Sequence, residues 1–126
     1  MSETFFAIDY SPALLPMFRF LGMGPARSGV WVGSDSVRVK MGWGFRAEIP
    51  RQAVREIGSD TAAVTGWGVH GWRGRWLVNG SSSGMMRLEI EPSVQAWMMG
   101  VPVRLRTLRL SLASPDGLTT ALSNAR

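Results

Sequence analysis

Cysteine is absent from this chain of 126 residues, and histidine, lysine and tyrosine each occur once. The missing thiol excludes a disulfide framework, a thiolate nucleophile, an iron–sulfur cluster and any zinc site built on thiolates. His70 is left as the sole soft ligand. No apolar run approaches the ~20 residues that a helix needs to cross a bilayer. The start, Met1-Ser2-Glu3-Thr4-Phe5, has neither the cationic region nor the continuous apolar stretch of a secretory signal. Internal repeats and low-complexity tails are missing too. These absences lead to the expectation of a cytoplasmic protein with no transmembrane segment.

What is present is material for a core. Apolar residues make up 45% of the chain, charged residues only 18%, and there are six tryptophans and eight methionines, a composition that folds rather than one that stays disordered. The length suits one domain spanning 1–126. Within it, residues 11–28 carry Pro12, Pro16, Pro25, Gly22 and Gly24, which preclude a long regular helix or a central strand. The same stretch is strongly apolar, so 1–28 is expected to pack on or beyond the main body, with Phe18, Phe20 and Met23 as candidates for an apolar contact with a protein partner or a second copy.

From Gly29 onward the pattern has period two. Val37, Val39 and Met41 alternate with Ser36, Arg38 and Lys40; Trp43, Phe45, Ala47 and Ile49 alternate with Gly44, Arg46 and Glu48. The spacing predicts a hairpin turning near Gly42. Residues 50–57 read as a short helical turn, with 54–57 open to an extended reading. Trp72, Trp76 and Val78 are expected on one face of a strand with Arg73 and Arg75 on the other, Asn79 to Gly84 as a hairpin loop, and 86–90 as a strand ending at Pro92. A less definite strand follows at 94–99. In 103–113 the apolar phase slips between Leu105 and Leu108, as a bulge near Arg106 or Thr107 would make it do. Ser114, Pro115 and Asp116 then open a helix carrying Leu118, Ala121, Leu122 and Ala125 at helical spacing. The fold class is mainly β: six to eight short antiparallel strands, curled on themselves, and one short C-terminal α-helix.

Val37-Arg-Val-Lys-Met-Gly-Trp-Gly-Phe-Arg-Ala-Glu-Ile-Pro50 with the following Ile57, the meander after it, and Ser114-Pro-Asp-Gly-Leu118 with Leu122 resemble the bacterial pleckstrin-homology-like domains over about 29–124. The resemblance implies a seven-stranded, two-sheet orthogonal barrel with the helix plugging one open corner. It also implies a binding or assembly role without catalysis. Lipid-binding eukaryotic relatives use basic residues of the first hairpin for inositol phosphates, and Arg38, Lys40 and Arg46 lie on such a hairpin. A PH-like barrel over 29–126 is therefore expected.

The net charge is +5, and Lys40 is the one lysine among fourteen basic residues. Guanidinium forks match phosphate oxygens, so Arg38, Lys40, Arg46, Arg73 and Arg75 are the candidates for an anion-facing patch. A charge of this size is equally that of an ordinary solvated surface. Three motifs suggest chemistry without its context. Gly66-Trp-Gly-Val-His-Gly71 and Gly42-Trp-Gly-Phe-Arg-Ala47 fit dinucleotide patterns but run into strand-like sequence instead of a helix. Gly80-Ser-Ser-Ser-Gly84 fits the nucleophile elbow of hydrolases but joins two strands, as a flexible tip. His70 has no second histidine or evident carboxylate, and Glu89 and Glu91 share a solvated face. No catalytic residue, metal site or cofactor is predicted. The function expected is a non-enzymatic binding or assembly module. The alternatives are a carrier of a small apolar ligand, motivated by the methionines and tryptophans, and weak binding of acidic lipid or nucleic acid. Nucleic acid is the less favoured of these, because Trp72-Arg-Gly-Arg-Trp76, read as one strand, points its arginines away from its tryptophans.

Overall fold

A computed structural model describes residues 3–60 and 68–124. Among them, nine strands join in one mixed, open sheet: β1 (Thr4–Phe6), β2 (Ser28–Val32), β3 (Ser36–Met41), β4 (Phe45–Pro50), β5 (Val54–Ser59), β6 (Gly68–Trp72), β7 (Arg75–Asn79), β8 (Met85–Met98) and β9 (Val101–Ser111). Their order is β1-β2-β3-β4-β8-β9-β7-β6, with β5 also paired to β8. Two helices complete the chain, α1 (Leu15–Phe20) and α2 (Pro115–Asn124). The mainly β class and the C-terminal helix stand. The two-sheet antiparallel barrel does not: the edge strands β1 and β6 do not pair with each other, and β7 runs parallel to β9.

Long strands make this arrangement. β8 pairs with β5 through its first half, Leu88 opposite Ile57, and with β4 through its last residues, Ala96 opposite Ala47. The sequence reading ended this strand at Pro92; it continues to Met98. Met86, Leu88, Ile90 and Ala96 keep one phase across the proline and are all buried. On β9 the expected bulge is found. The amides of Arg106 and Thr107 both donate to the Gly74 carbonyl, at 2.7 and 3.0 Å, so two residues stand against one. Leu105 and Leu108 can then both face the core.

The hairpin expected around residues 79–84 is corrected. β9 lies between β7 and β8, and the 80–84 loop crosses over its end. Trp76, Leu77, Val78 and Asn79 are buried without alternation, as suits a strand inside the sheet with both faces covered. Nor is the loop a flexible tip. Ser111 Oγ accepts from the Gly80 amide and donates to the Asp9 carbonyl, both at 2.9 Å, and Ser81 Oγ donates to Asp9 Oδ2 at 2.6 Å. At Gly84, φ is 62°, and an added Cβ would lie 2.0 Å from the Leu112 carbonyl oxygen. The unpredicted turn is at Arg73-Gly74, where φ values of 53° and 86° close the β6–β7 hairpin. Trp72, expected on one strand face with Trp76 and Val78, therefore stands at a hairpin tip and is 73% exposed. Trp43 is likewise corrected: β4 begins at Phe45, and Trp43 lies in the turn before it, 58% exposed.

The N-terminal segment packs on the chain's own sheet. Bridges at Ile8–Leu112 and Tyr10–Gly80 lead into α1, where Phe18 meets Tyr10 edge to face at 5.3 Å between ring centroids. Phe18 and Met23 thus belong to the core, and of the three apolar-contact candidates only Phe20 is exposed. Residues 51–53 form a 3-10 turn and 54–59 are extended. At the other end of the chain α2 lies against β1, β2 and β5. It buries Leu118 and Leu122, each worth about 2 kcal/mol of transfer free energy. The Arg51 guanidinium donates to the Ala121 carbonyl at 2.9 Å and to the Gly33 carbonyl at 2.7 Å, tying the helix to the sheet.

Tyr10 joins these parts. Its hydroxyl donates to the Met23 carbonyl at 2.6 Å, and burial pushes its pKa above the ordinary tyrosine value. A folded pKa above the unfolded one means that the associated stability is whole below about pH 10 and is lost as pH rises through the folded value. With a single lysine, a single tyrosine and no cysteine, few other side chains titrate there. Thermal unfolding followed from neutral to alkaline pH is expected to show stability falling above about pH 10. Tyr10→Phe is expected to lose about 1 kcal/mol at neutral pH and to flatten that fall.

Candidate anion-binding face

The alternation that buries Val37, Val39, Met41, Phe45, Ala47 and Ile49 puts their neighbours on the opposite, solvent-facing side of β3 and β4. Register sets the partners there. In one row Trp31 of β2 stands opposite Arg38, and Arg38 opposite Glu48. In the next row Gly29 stands opposite Lys40, Lys40 opposite Arg46, and Arg46 opposite Trp97 of β8. The two indoles therefore flank the cations, and the concavity between them, lined by Trp31, Arg38, Lys40, Arg46, Glu48, Gln95 and Trp97, has a volume of about 410 Å³. Arg38 lies 5.0 Å from the Trp31 ring centroid and Arg46 5.5 Å from that of Trp97, within the range of cation–π attraction.

The two rows differ in charge. Arg38 holds Glu3 through two nitrogens, Nη2 at 2.8 Å and Nε at 3.2 Å. That hydrogen-bonded guanidinium keeps the Glu3 carboxyl below its ordinary pKa, and the same contact raises that of Arg38. Arg38 thus has carboxylates on two sides, Glu3 and Glu48. Lys40 and Arg46, both exposed, have none: among the described residues no carboxylate lies within ion-pair distance of either.

Arg73 and Arg75 are not brought to this face. They line a separate cleft of about 910 Å³ with Arg55, Arg106, Glu56 and Glu91. Glu89, on the same wall, is held by Arg87 at 3.2 Å and accepts from Thr107 Oγ1 at 2.8 Å. Acids and bases are interspersed throughout that cleft. The five-residue patch therefore resolves into one carboxylate-neutralised arginine, one mixed cleft and the pair Lys40 and Arg46. Trp31, Trp97 and Glu3 were missed as members of the site. The alternation of Gln95 and Trp97 with Ala96 and Met98 carries the signal for Trp97, once Pro92 is not taken as a strand end.

Among the described residues, the motif matches fall on strands, turns and loops. Gly66 and Trp67 of the first dinucleotide match lie outside the described residues; Gly68 to Gly71 belong to β6, which is followed by β7 and no helix. The second match is the β3–β4 turn and the start of β4, and the Gly80–Gly84 match is the loop crossing β9. His70 lies exposed on β6. Among the described residues, no group of three or more His, Cys, Asp or Glu side chains could hold a metal ion, and no helix is long and apolar enough to cross a membrane.

Since Glu3 holds Arg38 through two hydrogen bonds, Glu3→Gln is expected to remove the nearer of its two carboxylates and raise the net positive charge of this face by one. Affinity for inorganic tripolyphosphate, measured by calorimetry at low salt, should rise about twofold to fivefold, the scale of one exposed ion pair.

Comparison with protein-family models, with curated proteins and with solved structures finds no match.

Proposed function

We propose that this chain is a non-enzymatic binding module that receives an anionic partner on the outer face of β2, β3, β4 and β8, with Lys40 and Arg46 in contact with the anion and Trp31 and Trp97 as its walls. The observation that carries the reading is the direct opposition of Lys40 and Arg46, with no carboxylate of the described residues within ion-pair distance of either. Like charges facing each other across a ladder are destabilising. One step along the same two strands the repulsion is absent, because Arg38 faces Glu48. An ammonium and a guanidinium with side chains about 5 Å apart at the Cβ atoms can share the oxygens of one phosphate or carboxylate group. The indoles on either side lower the local dielectric and strengthen that attraction.

This reading is better supported than ligand carriage inside the sheet. The methionines and tryptophans that motivate a carrier are divided: Met23, Met41, Met86 and Trp76 are packed in the core, whereas Trp43 and Trp72 face solvent.

Calorimetric titration with inorganic tripolyphosphate tests it. Lys40→Ala with Arg46→Ala is expected to weaken binding at least about tenfold, since charge-assisted hydrogen bonds are worth about 1.5–3 kcal/mol each, and to reduce its salt dependence. Both side chains are exposed and their charges face each other, so the variant should be no less stable than the wild type. Arg73→Ala with Arg75→Ala should leave the affinity within about twofold, as expected of surface changes away from the site. Absence of binding by the wild-type chain, or equal binding by the Lys40/Arg46 variant, would overturn the proposal.

A further inference from the structure

The turn one residue pair beyond Lys40 and Arg46 carries Trp43 at its tip, and two other loops come to the same end of the sheet. The Gly42 amide donates to the Arg27 carbonyl at 3.1 Å, and the Trp43 indole N–H donates to the Leu21 carbonyl at 2.6 Å, which brings the C-terminal end of α1 against the turn. Here too a glycine is required: Gly42 has φ 55°, and an added Cβ would lie 2.0 Å from the Gly22 carbonyl oxygen. On the other side the Met99 amide donates to the Gly44 carbonyl at 2.9 Å, placing the β8–β9 turn beside it. Three segments far apart in sequence thus present Phe20 and Leu21, Trp43, and Met99 together. All four are exposed, Phe20 by 91%.

We infer that this end of the molecule docks on the surface of an anionic lipid bilayer, Phe20, Leu21, Trp43 and Met99 entering the interface while Lys40, Arg46, Arg19 and Arg27 meet the headgroups. The inference rests on the anion-binding reading and names its source of anion. Three observations favour a bilayer over a protein groove. First, the apolar side chains sit on protruding turns. Second, six donors of those turns are already paired: the amides of Leu21, Gly22, Gly42, Gly44 and Met99 and the Trp43 indole all donate within the chain. Entering a medium poor in hydrogen-bond partners therefore leaves none of these donors unsatisfied. An indole whose ring is exposed and whose N–H is satisfied suits the membrane interface, where tryptophan is enriched. Third, charge is segregated. None of the nine acidic residues lies in 15–30, 39–46 or 96–103, the segments that build this end. Lys40 stands one residue before the end of β3 and Trp43 in the turn beyond it, a placement in which a long cationic side chain reaches headgroups while the tip reaches the acyl boundary.

The test is flotation of the purified full chain with vesicles of phosphatidylcholine alone and of phosphatidylcholine with an equal part of phosphatidylglycerol. Binding to the anionic vesicles alone is expected. Phe20→Ser should weaken it about tenfold, from the transfer free energy of one phenyl side chain; Lys40→Ala and Arg46→Ala should each weaken it about fivefold. Phe20→Ser and Met99→Ser change exposed side chains and should leave both folding and tripolyphosphate affinity as in the wild type. Vesicle binding that survives Phe20→Ser with Met99→Ser unchanged would overturn the inference. So would absence of vesicle binding by a chain that binds tripolyphosphate through Lys40 and Arg46, in which case the anion site stands and its partner is soluble. A chain that binds neither vesicles nor tripolyphosphate would overturn both.

Discussion

The pairing of β8 with β9 is the constraint from which the other strands take their places. These are the two longest strands, antiparallel along their length apart from one break: Glu89 faces Thr107 and Val94 faces Leu105, so residues 90–93 of one strand stand against Arg106 of the other. On either side of the break the ladder has different neighbours. β5 and β7 flank it where Leu88 meets Leu108, and β4 flanks it where Ala96 meets Val103. One core can then be drawn from both ends of the sheet, with Met86, Leu88 and Leu110 at one and Val39, Phe45 and Ala96 at the other. Buried side chains stay in phase because β9 carries its own bulge at Arg106 and Thr107, where the Gly74 carbonyl takes both amides.

The same ladder sets the electrostatics of the outer face. β4 docks on the last three paired residues of β8, and that docking, Arg46 opposite Trp97, carries an indole to the flank of the cation pair. On the far flank β1 contributes Phe5, whose ring lies over Gly29 and against Trp31 at 5.3 Å, together with Glu3, which engages Arg38. Lys40 and Arg46 are left as the two facing cations between aromatic walls. The outbowed residues 90–93 line the larger cleft, but its four arginines are interspersed with glutamates, so volume alone does not make it the stronger anion site.

Local patterns in the sequence were legible where one face of a strand meets water. The 37–41 and 45–49 alternation yields β3, β4 and their turn, and the phase slip between Leu105 and Leu108 yields the bulge. Ser114-Pro-Asp yields the start of α2 with Leu118 and Leu122 buried. What failed was the inference from neighbours in sequence to neighbours in space. Asn79 to Gly84 has hairpin composition, yet Trp76-Leu77-Val78 is an unbroken apolar run, the mark of an interior strand, and β9 takes the place that a hairpin would have given to β8. Pro92 is a strand breaker by composition, yet Ile90 before it and Ala96 after it keep one phase and are buried. The site was half legible: alternation exposes Arg38, Lys40 and Arg46 together, but only register separates the arginine facing Glu48 from the cations facing each other. Arg73 and Arg75 share sequence character with the first three and lie elsewhere, because the turn at Arg73-Gly74 folds them toward Arg106.

Anion binding by the opposed cations of β3 and β4 is the central claim. The most direct measurement is a map of backbone amide chemical shifts during titration with inorganic tripolyphosphate. The largest changes are expected at residues 38–40, 46–48 and 95–97, with much smaller ones at 73–75 and 106–107. Changes centred on 73–75 and 106–107 instead, or none at Lys40 and Arg46 at saturating tripolyphosphate, would contradict it.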